Sequence, residues 1–132
     1  MSRALVLVVD DTQDNREMYM EYLRHVGFTV ASAATGEEAI EKTRELVPAV
    51  VLMDLSLPGI DGCDATAILK SDPKTRHIPI IALTGHVDAE HRARAMRVGC
   101  DRFVAKPSLP ADIARHVIEL IDDGTARESN GG

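Results

Sequence analysis

Short apolar runs alternate with longer stretches of helical period along the whole chain. Ala4–Val9 (ALVLVV) and Val50–Met53 (VVLM) are continuous apolar runs, which read as strands buried on both faces of a parallel sheet. Phe28–Ser32 alternates weakly and reads as a shorter strand nearer an edge. Ile78–Leu83 and Arg102–Ala105 complete the strands, with Pro79 at a strand start, where a missing N–H is tolerated. Between them the period changes to 3.6. One helix is expected from the polar caps in Thr12–Asn15 to about Val26, stopped by Gly27. A second opens at Thr35-Gly36-Glu37-Glu38, turns Ala39, Ile40, Thr43 and Leu46 inward, and closes at Pro48. A third covers Asp61–Lys70 with Ala65, Ile68 and Leu69 inward, and a fourth covers Asp88–Val98 up to Gly99. Pro110 starts a fifth, with Ile113, Val117, Ile118 and Ile121 on its core side.

Strands alternating with amphipathic helices predict an α/β fold with helices on both faces of a parallel sheet. Right-handed crossovers leave few arrangements. A (βα)5 flavodoxin-like, doubly wound sheet of strand order 2-1-3-4-5 is the natural one at 132 residues. The first helix departs from a simple pattern. Met18, Tyr19 and Tyr22 make its apolar stripe wider than one core face requires. Either all three are buried, or they form a surface on which a partner docks.

Composition narrows the class. A chain that is 45% hydrophobic and 27% charged can bury a core and is not of the disordered type. Its net charge of −6 lacks the basic stripe that nucleic-acid binding needs. The apolar run Leu5–Val9 is too short for a membrane span or a signal peptide, and Cys63 and Cys100 stand alone. Free thiols in a reducing cytoplasm are the expectation, with both cysteines as small buried fillers. Residues 4–122 are expected to form the domain and residues 123–132 a polar, disordered tail. The initiating Met and that Gly-ending tail favour a complete small protein.

The candidate chemistry lies where the strands end. Asp10-Asp11 follows the first strand, Asp54 the third, Thr84 the fourth and Lys106 the fifth. In the 2-1-3-4-5 order these ends converge on one crevice, where ligands of open α/β sheets bind. Taken singly, Asp10-Asp11 could cap a helix, Thr84 could be a turn residue and Lys106 a solvated lysine. Jointly they make a site. Three carboxylates repel one another, and a hard divalent cation relieves that; Mg²⁺ takes one or two direct carboxylates plus waters and phosphate oxygens. A lysine and a hydroxyl beside it suit a phosphoryl group, and a free carboxylate attacking phosphorus forms an acyl phosphate.

With Val9-Asp10-Asp11, Met53-Asp54-Leu55-Ser56-Leu57-Pro58-Gly59-Ile60-Asp61-Gly62, Ala82-Leu83-Thr84-Gly85 and Phe103-Val104-Ala105-Lys106-Pro107 in place, the chain resembles the response-regulator receiver domain of bacterial two-component signalling over residues 4–122. The resemblance implies that Asp54 accepts phosphate from a histidine kinase or a histidine phosphotransfer protein. It implies that Asp11, Asp54 and the main-chain carbonyl of Ser56 ligate Mg²⁺, for which Mn²⁺ can substitute, with Asp10 acting through water. It implies that Thr84 and Lys106 bind phosphoryl oxygens, and that Phe103 is the aromatic that changes rotamer on activation. Phe103 stands where many family members carry tyrosine, so no hydroxyl takes part in that step. A separate effector protein is expected to read the phosphorylated state. Ser56 and His86 occupy variable positions that tune phosphoaspartate lifetime.

Other functions fit less well. A flavin carrier wants a Ser/Thr/Gly-rich loop after the first strand, whereas Asp10–Asn15 would repel a phosphate there. A metal-dependent aspartate-nucleophile phosphatase usually has its two acids two apart after the first strand; here they are adjacent. A receiver fragment of a larger DNA-binding regulator is the remaining alternative.

Overall fold

The computed structural model describes residues 3–131, with side chains described as far as Asp123. The elements are β1 (Leu5–Val9), α1 (Gln13–His25), β2 (Thr29–Ala33), α2 (Gly36–Leu46), β3 (Val50–Asp54), α3 (Gly62–Ser71), β4 (Ile80–Thr84), α4 (Ala89–Val98), β5 (Arg102–Ala105) and α5 (Pro110–Gly131). The strands form one parallel sheet in the order β2-β1-β3-β4-β5, as the alternation of periods predicts. The three continuous apolar strands are the central ones. β3 and β4 are buried throughout, whereas β2 on the edge has one fully buried residue, Ala33.

The sheet's two faces build two cores. Leu7, Val9, Val51, Met53, Ile80 and Ala82 point to the side covered by α2, α3 and α4. Val6, Val8, Val50, Leu52, Ile81 and Leu83 meet Tyr19 and Leu23 of α1 and Ile113, Val117 and Leu120 of α5. Alternate strand residues serve opposite faces, so every central strand must be apolar at each position.

Three helices carry side-chain N-caps: Thr35 accepts from Glu38 N, Asp61 from Asp64 N and Asp88 from His91 N. Several expected core residues sit elsewhere. Leu46, Ile68 and Ile118 are exposed, and Leu120 and Ala114 take the place expected for Ile118. One residue step turns a side chain by about 100°. Ile68 and Ile118, each one step from a buried neighbour (Leu69, Val117), are thereby rotated off the core face. Leu46 lies in the last turn of α2. The backbone of α5 is helical through Gly131, including the stretch 123–131 expected from its composition to be a disordered tail. That stretch holds no proline, and Ala126, Arg127 and Glu128 favour a helix.

α4 is the least embedded helix. Ala95 is its one buried residue. Arg94 ties it to α3, with Nη1 donating to Asp61 and Nη2 to Asp64, each at 3.2 Å. The Arg92 guanidinium lies 5.4 Å from the centre of the Phe103 ring.

Glycine matters most at the start of α3. A Cβ on Gly62 would fall 2.3 Å from the Asp54 carbonyl oxygen and 2.6 Å from Leu55 Cα. Both neighbours are main chain and cannot give way cheaply. Gly62→Ala is therefore expected to lower the unfolding free energy by about 1–3 kcal/mol. Gly85→Ala, with nothing within 4 Å of the added carbon, should cost far less. Chemical denaturation of the two variants checks this, and equal midpoints would show that the β3–α3 junction has slack.

Candidate functional site

β1, β3, β4 and β5 end side by side, and their last residues build the site. Asp10 follows β1 with its side chain buried, and Asp11 beside it is exposed. Asp10 is fixed from several sides. Its amide donates to Ala33 O at 3.1 Å, its Oδ1 accepts from Thr12 N at 2.9 Å, and Arg16 Nη1 donates to its carbonyl at 2.7 Å. Asp54 closes β3 opposite Leu83 of β4 and is 2% exposed. Its Oδ1 accepts from Ser56 N at 2.9 Å. Lys106 Nζ lies 3.1 Å from Asp54 Oδ2 and 3.3 Å from Asp10 Oδ2, bridging the two buried acids. The Lys106 amide donates to Thr84 O at 2.8 Å, which holds the end of β5 to β4. The Lys106–Pro107 peptide bond is cis.

Burial and charge compete here. Burial pushes the Asp54 carboxyl above its ordinary value, against the opposing pull of the Ser56 amide and the Lys106 ammonium. For Lys106, burial favours the neutral amine, but Asp54 and Asp10 outweigh it and hold the ammonium above lysine's usual range. The Lys106 ammonium thus pairs with two of the three carboxylates at these strand ends. Carboxylate oxygens of Asp10, Asp11 and Asp54 lie within 4.8 Å of one another. All are hard oxygen donors, and one of the acids faces solvent. This donor set fits Mg²⁺ or Mn²⁺, which keep waters beside a few carboxylates.

The structure brings Asp10, Asp11, Asp54 and Lys106 together as the sequence predicts. Thr84 is buried at the neighbouring strand end, and its Oγ1 accepts from His86 N at 3.0 Å. Ser56 follows Asp54 on an exposed loop. A cavity of about 240 Å³ beside these strand ends is lined by Ser56, Asp61, Cys63, Thr84, His86 and Arg94, among others. Phe103 is half-buried and packs against the α2–α4 side of the core. Cys63 and Cys100 are free and buried. Two residues of the site's surroundings escape sequence reading. Arg16 anchors the Asp10 backbone from inside α1, and Arg94 ties the segment after β3 to α4; only the assembled fold makes these partners neighbours.

The stripe on α1 divides. Tyr19 is buried among Leu23, Ile113 and Val117, with its hydroxyl 3.5 Å from Ser108 O. It belongs to the core and drops out of the candidate partner surface, because the α1 face toward α5 is wide enough to take it. Met18 is 42% exposed and Tyr22 is half-buried, and both line an open groove.

Residues 6–118 match the family model of the response regulator receiver domain. The chain belongs to that family. Among its relatives, the polar-differentiation response regulator DivK of Brucella ovis is 32% identical over 102 residues, covering 77% of this chain and 83% of the relative. The receiver domain of the sensor histidine kinase PA1611 from Pseudomonas aeruginosa PAO1 has a magnesium ion coordinated in its active-site cleft. It is 29% identical, with a TM-score of 0.85 over 92% of this chain and 99% of that one. The chemotaxis protein CheY4 of Vibrio cholerae is 26% identical, with a TM-score of 0.85 over 90% and 99%. The receiver is a phosphoacceptor signalling module of two-component systems, and this match leaves the flavin-carrier and phosphatase readings without support. No described helix is long and apolar enough to cross a membrane.

Proposed function

We propose that Asp54 is the phosphoacceptor, and that residues 4–122 are the unit that receives the group and switches on it. The observation that carries this reading is a buried carboxylate at a strand end, bridged by Lys106 to a second buried acid and open to a third. Asp11, Asp54 and the Ser56 main-chain carbonyl would hold Mg²⁺ or Mn²⁺, with Asp10 acting through water. When bound, the ion neutralises charge on the phosphoryl oxygens.

The donor is a phosphohistidine on a histidine kinase or phosphotransfer protein. A carboxylate oxygen of Asp54 attacks phosphorus in line; the new P–O bond forms as the P–N bond breaks, and the leaving imidazole keeps the electron pair and takes a proton. Lys106 already stands 3.1 Å from the Asp54 carboxylate and binds the arriving oxygens with its ammonium. Thr84 exchanges the His86 amide contact for a charge-assisted hydrogen bond to phosphoryl oxygen. Its movement opens space into which Phe103 turns, changing the surface of α4, β5 and α5 that a separate effector protein binds. Met18 and Tyr22 of α1 form the surface on which the donor docks. The chain works in the cytoplasm.

A Mg²⁺ titration followed by NMR is expected to move amides near residues 10, 11 and 54. Asp11→Asn should weaken the affinity by about tenfold or more, the scale seen when groups supporting a metal are lost. Shifts confined to other parts of the chain would remove the metal from this reading. Thr84→Ala should remain phosphorylatable but lose the gain in effector affinity produced by beryllofluoride; an equal gain in both proteins would show that Thr84 does not relay the signal.

A further inference from the structure

Two adjacent acids follow β1, and the fold treats them differently. Every polar group of Asp10 has a partner. Its amide donates to Ala33 O, Thr12 N donates to its Oδ1, and Lys106 Nζ donates to its Oδ2 at 3.3 Å. Its carbonyl accepts from Arg16 Nη1 at 2.7 Å, the shortest of these contacts. Among the described residues, the hydrogen bonds and ion pairs of the strand-end cluster join Asp10, Asp54 and Lys106, and none reaches the Asp11 carboxylate. Asp11 is exposed. Its side chain is therefore placed by its backbone alone.

That backbone hangs on one peptide unit. The Asp10 carbonyl, the Asp11 amide and the Asp11 Cα share a plane, because the C–N bond has partial double-bond character. Fixing the carbonyl fixes the direction in which the chain enters Asp11. Arg16 does this from the start of α1, where its own amide donates to Thr12 O at 3.0 Å. The Arg16 side chain is half-buried, and among the described residues it makes no ion pair. Glu17 and Glu21 line the same depression, yet the guanidinium bonds the Asp10 carbonyl. A charged donor makes that bond stronger than a neutral one would.

We propose that Arg16 is a positioning residue for the metal: it aims the Asp11 carboxylate at the site and so sets how tightly Mg²⁺ is held. This rests on the metal reading of the strand ends given above. Two effects of the guanidinium oppose each other. Its charge repels a cation, and its hydrogen bond holds a ligand in place. At a half-buried position open to water, salt screens the charge. The hydrogen bond removes beforehand the motion that Asp11 would otherwise lose on taking up the ion. Positioning prevails, so removing Arg16 weakens the site.

The test is a Mg²⁺ titration of the whole protein followed by NMR, in wild type, Arg16→Met, Arg16→Lys and Arg24→Met, with Asp11→Asn as the reference. Arg16→Met should weaken Mg²⁺ binding by about tenfold, the lower end of the losses seen when a group supporting a metal ligand is removed. Arg16→Lys keeps a charged donor and should recover most of the affinity. Arg24→Met removes the same charge from the same flank of α1 and should leave the affinity as it is. Without metal, the Asp11 and Thr12 amides should shift in Arg16→Met while those of β3 and β4 stay. At saturating Mg²⁺, labelling of Arg16→Met by acetyl phosphate should reach the wild-type rate, because Arg16 acts through the Asp10 main chain and not on the reacting atoms. Unchanged or tighter Mg²⁺ binding in Arg16→Met, an equal loss in Arg24→Met, or labelling that stays slow at saturating Mg²⁺ would each overturn the proposal. Wild-type affinity in Asp11→Asn would remove the metal reading and the proposal with it. A weakened Asp11→Asn beside an unaffected Arg16→Met would overturn the proposal and spare that reading.

Discussion

Wild-type protein treated with acetyl phosphate and Mg²⁺ should gain the mass of one phosphoryl group, and Asp54→Asn should gain none. The substitution preserves shape: an asparagine carbonyl can still accept from the Ser56 amide, and the buried side chain keeps its volume. What disappears is the charged oxygen that attacks phosphorus, because an amide is a poor nucleophile. The neighbouring acids do not replace it. Asp10 is held by Thr12, Ala33 and Arg16 and has its other oxygen on Lys106, and Asp11 faces solvent. Intact-mass spectra, with circular dichroism to verify folding, decide the matter. Equal labelling of folded wild type and variant would move the phosphoacceptor away from Asp54.

The second large effect is on stability. Lys106→Met removes the ammonium that contacts Asp10 and Asp54, leaving two buried carboxylates facing each other. A buried ion pair broken from one side costs more than the pair contributes. The Lys106 side chain is 25% exposed, so water screens part of the loss. A decrease of about 1–3 kcal/mol in unfolding free energy at neutral pH is expected, the cost of leaving a buried polar group unpaired. The pH dependence has a definite sign. Asp54 in the folded protein already titrates above its ordinary value, so it favours the fold most when protonated, below the unfolded carboxylate value, and that contribution is lost as pH rises through the raised one. Removing Lys106 raises it further. The variant should therefore approach wild type in acid and diverge from it as pH increases, and added Mg²⁺ should restore part of the difference. Denaturation midpoints across pH, with and without Mg²⁺, provide the measurement. A constant difference at all pH values would mean that Lys106 contributes packing and little charge compensation.

What could be read from the chain beforehand follows from how local each signal is. ALVLVV and VVLMD announce central strands because burial on both faces leaves no polar position. Asp10, Asp54, Thr84 and Lys106 could be assembled because a parallel sheet of known order places all strand ends on one edge. Helix faces were harder. Ile68 and Leu69 are adjacent and equally apolar, and only packing against β3 and β4 decides which is buried. The same applies to Ile118 and Leu120 on α5. On α1 the excess of apolar residues was real, but it resolved into a buried Tyr19 and an exposed Met18. Contacts such as Arg16 with the Asp10 carbonyl and Arg94 with Asp61 and Asp64 join groups with no shared local pattern, so composition and spacing are silent about them.

α4 meets the rest of the domain through the buried methyl group of Ala95, the partly buried Val98, and side chains that reach to polar or aromatic neighbours. A helix so lightly anchored contributes little to the cooperative unfolding of the whole. Substitutions at its solvent-facing positions should change global stability by no more than about 0.5 kcal/mol. Its outer surface is consequently open to evolutionary drift: Met96, Arg97, Ala93 and Glu90 are exposed and can be rewritten in an orthologue or a designed variant while the strand-end residues that carry the phosphoryl chemistry stay as they are. Lineages that share the strand-end residues can in this way diverge in whom they address.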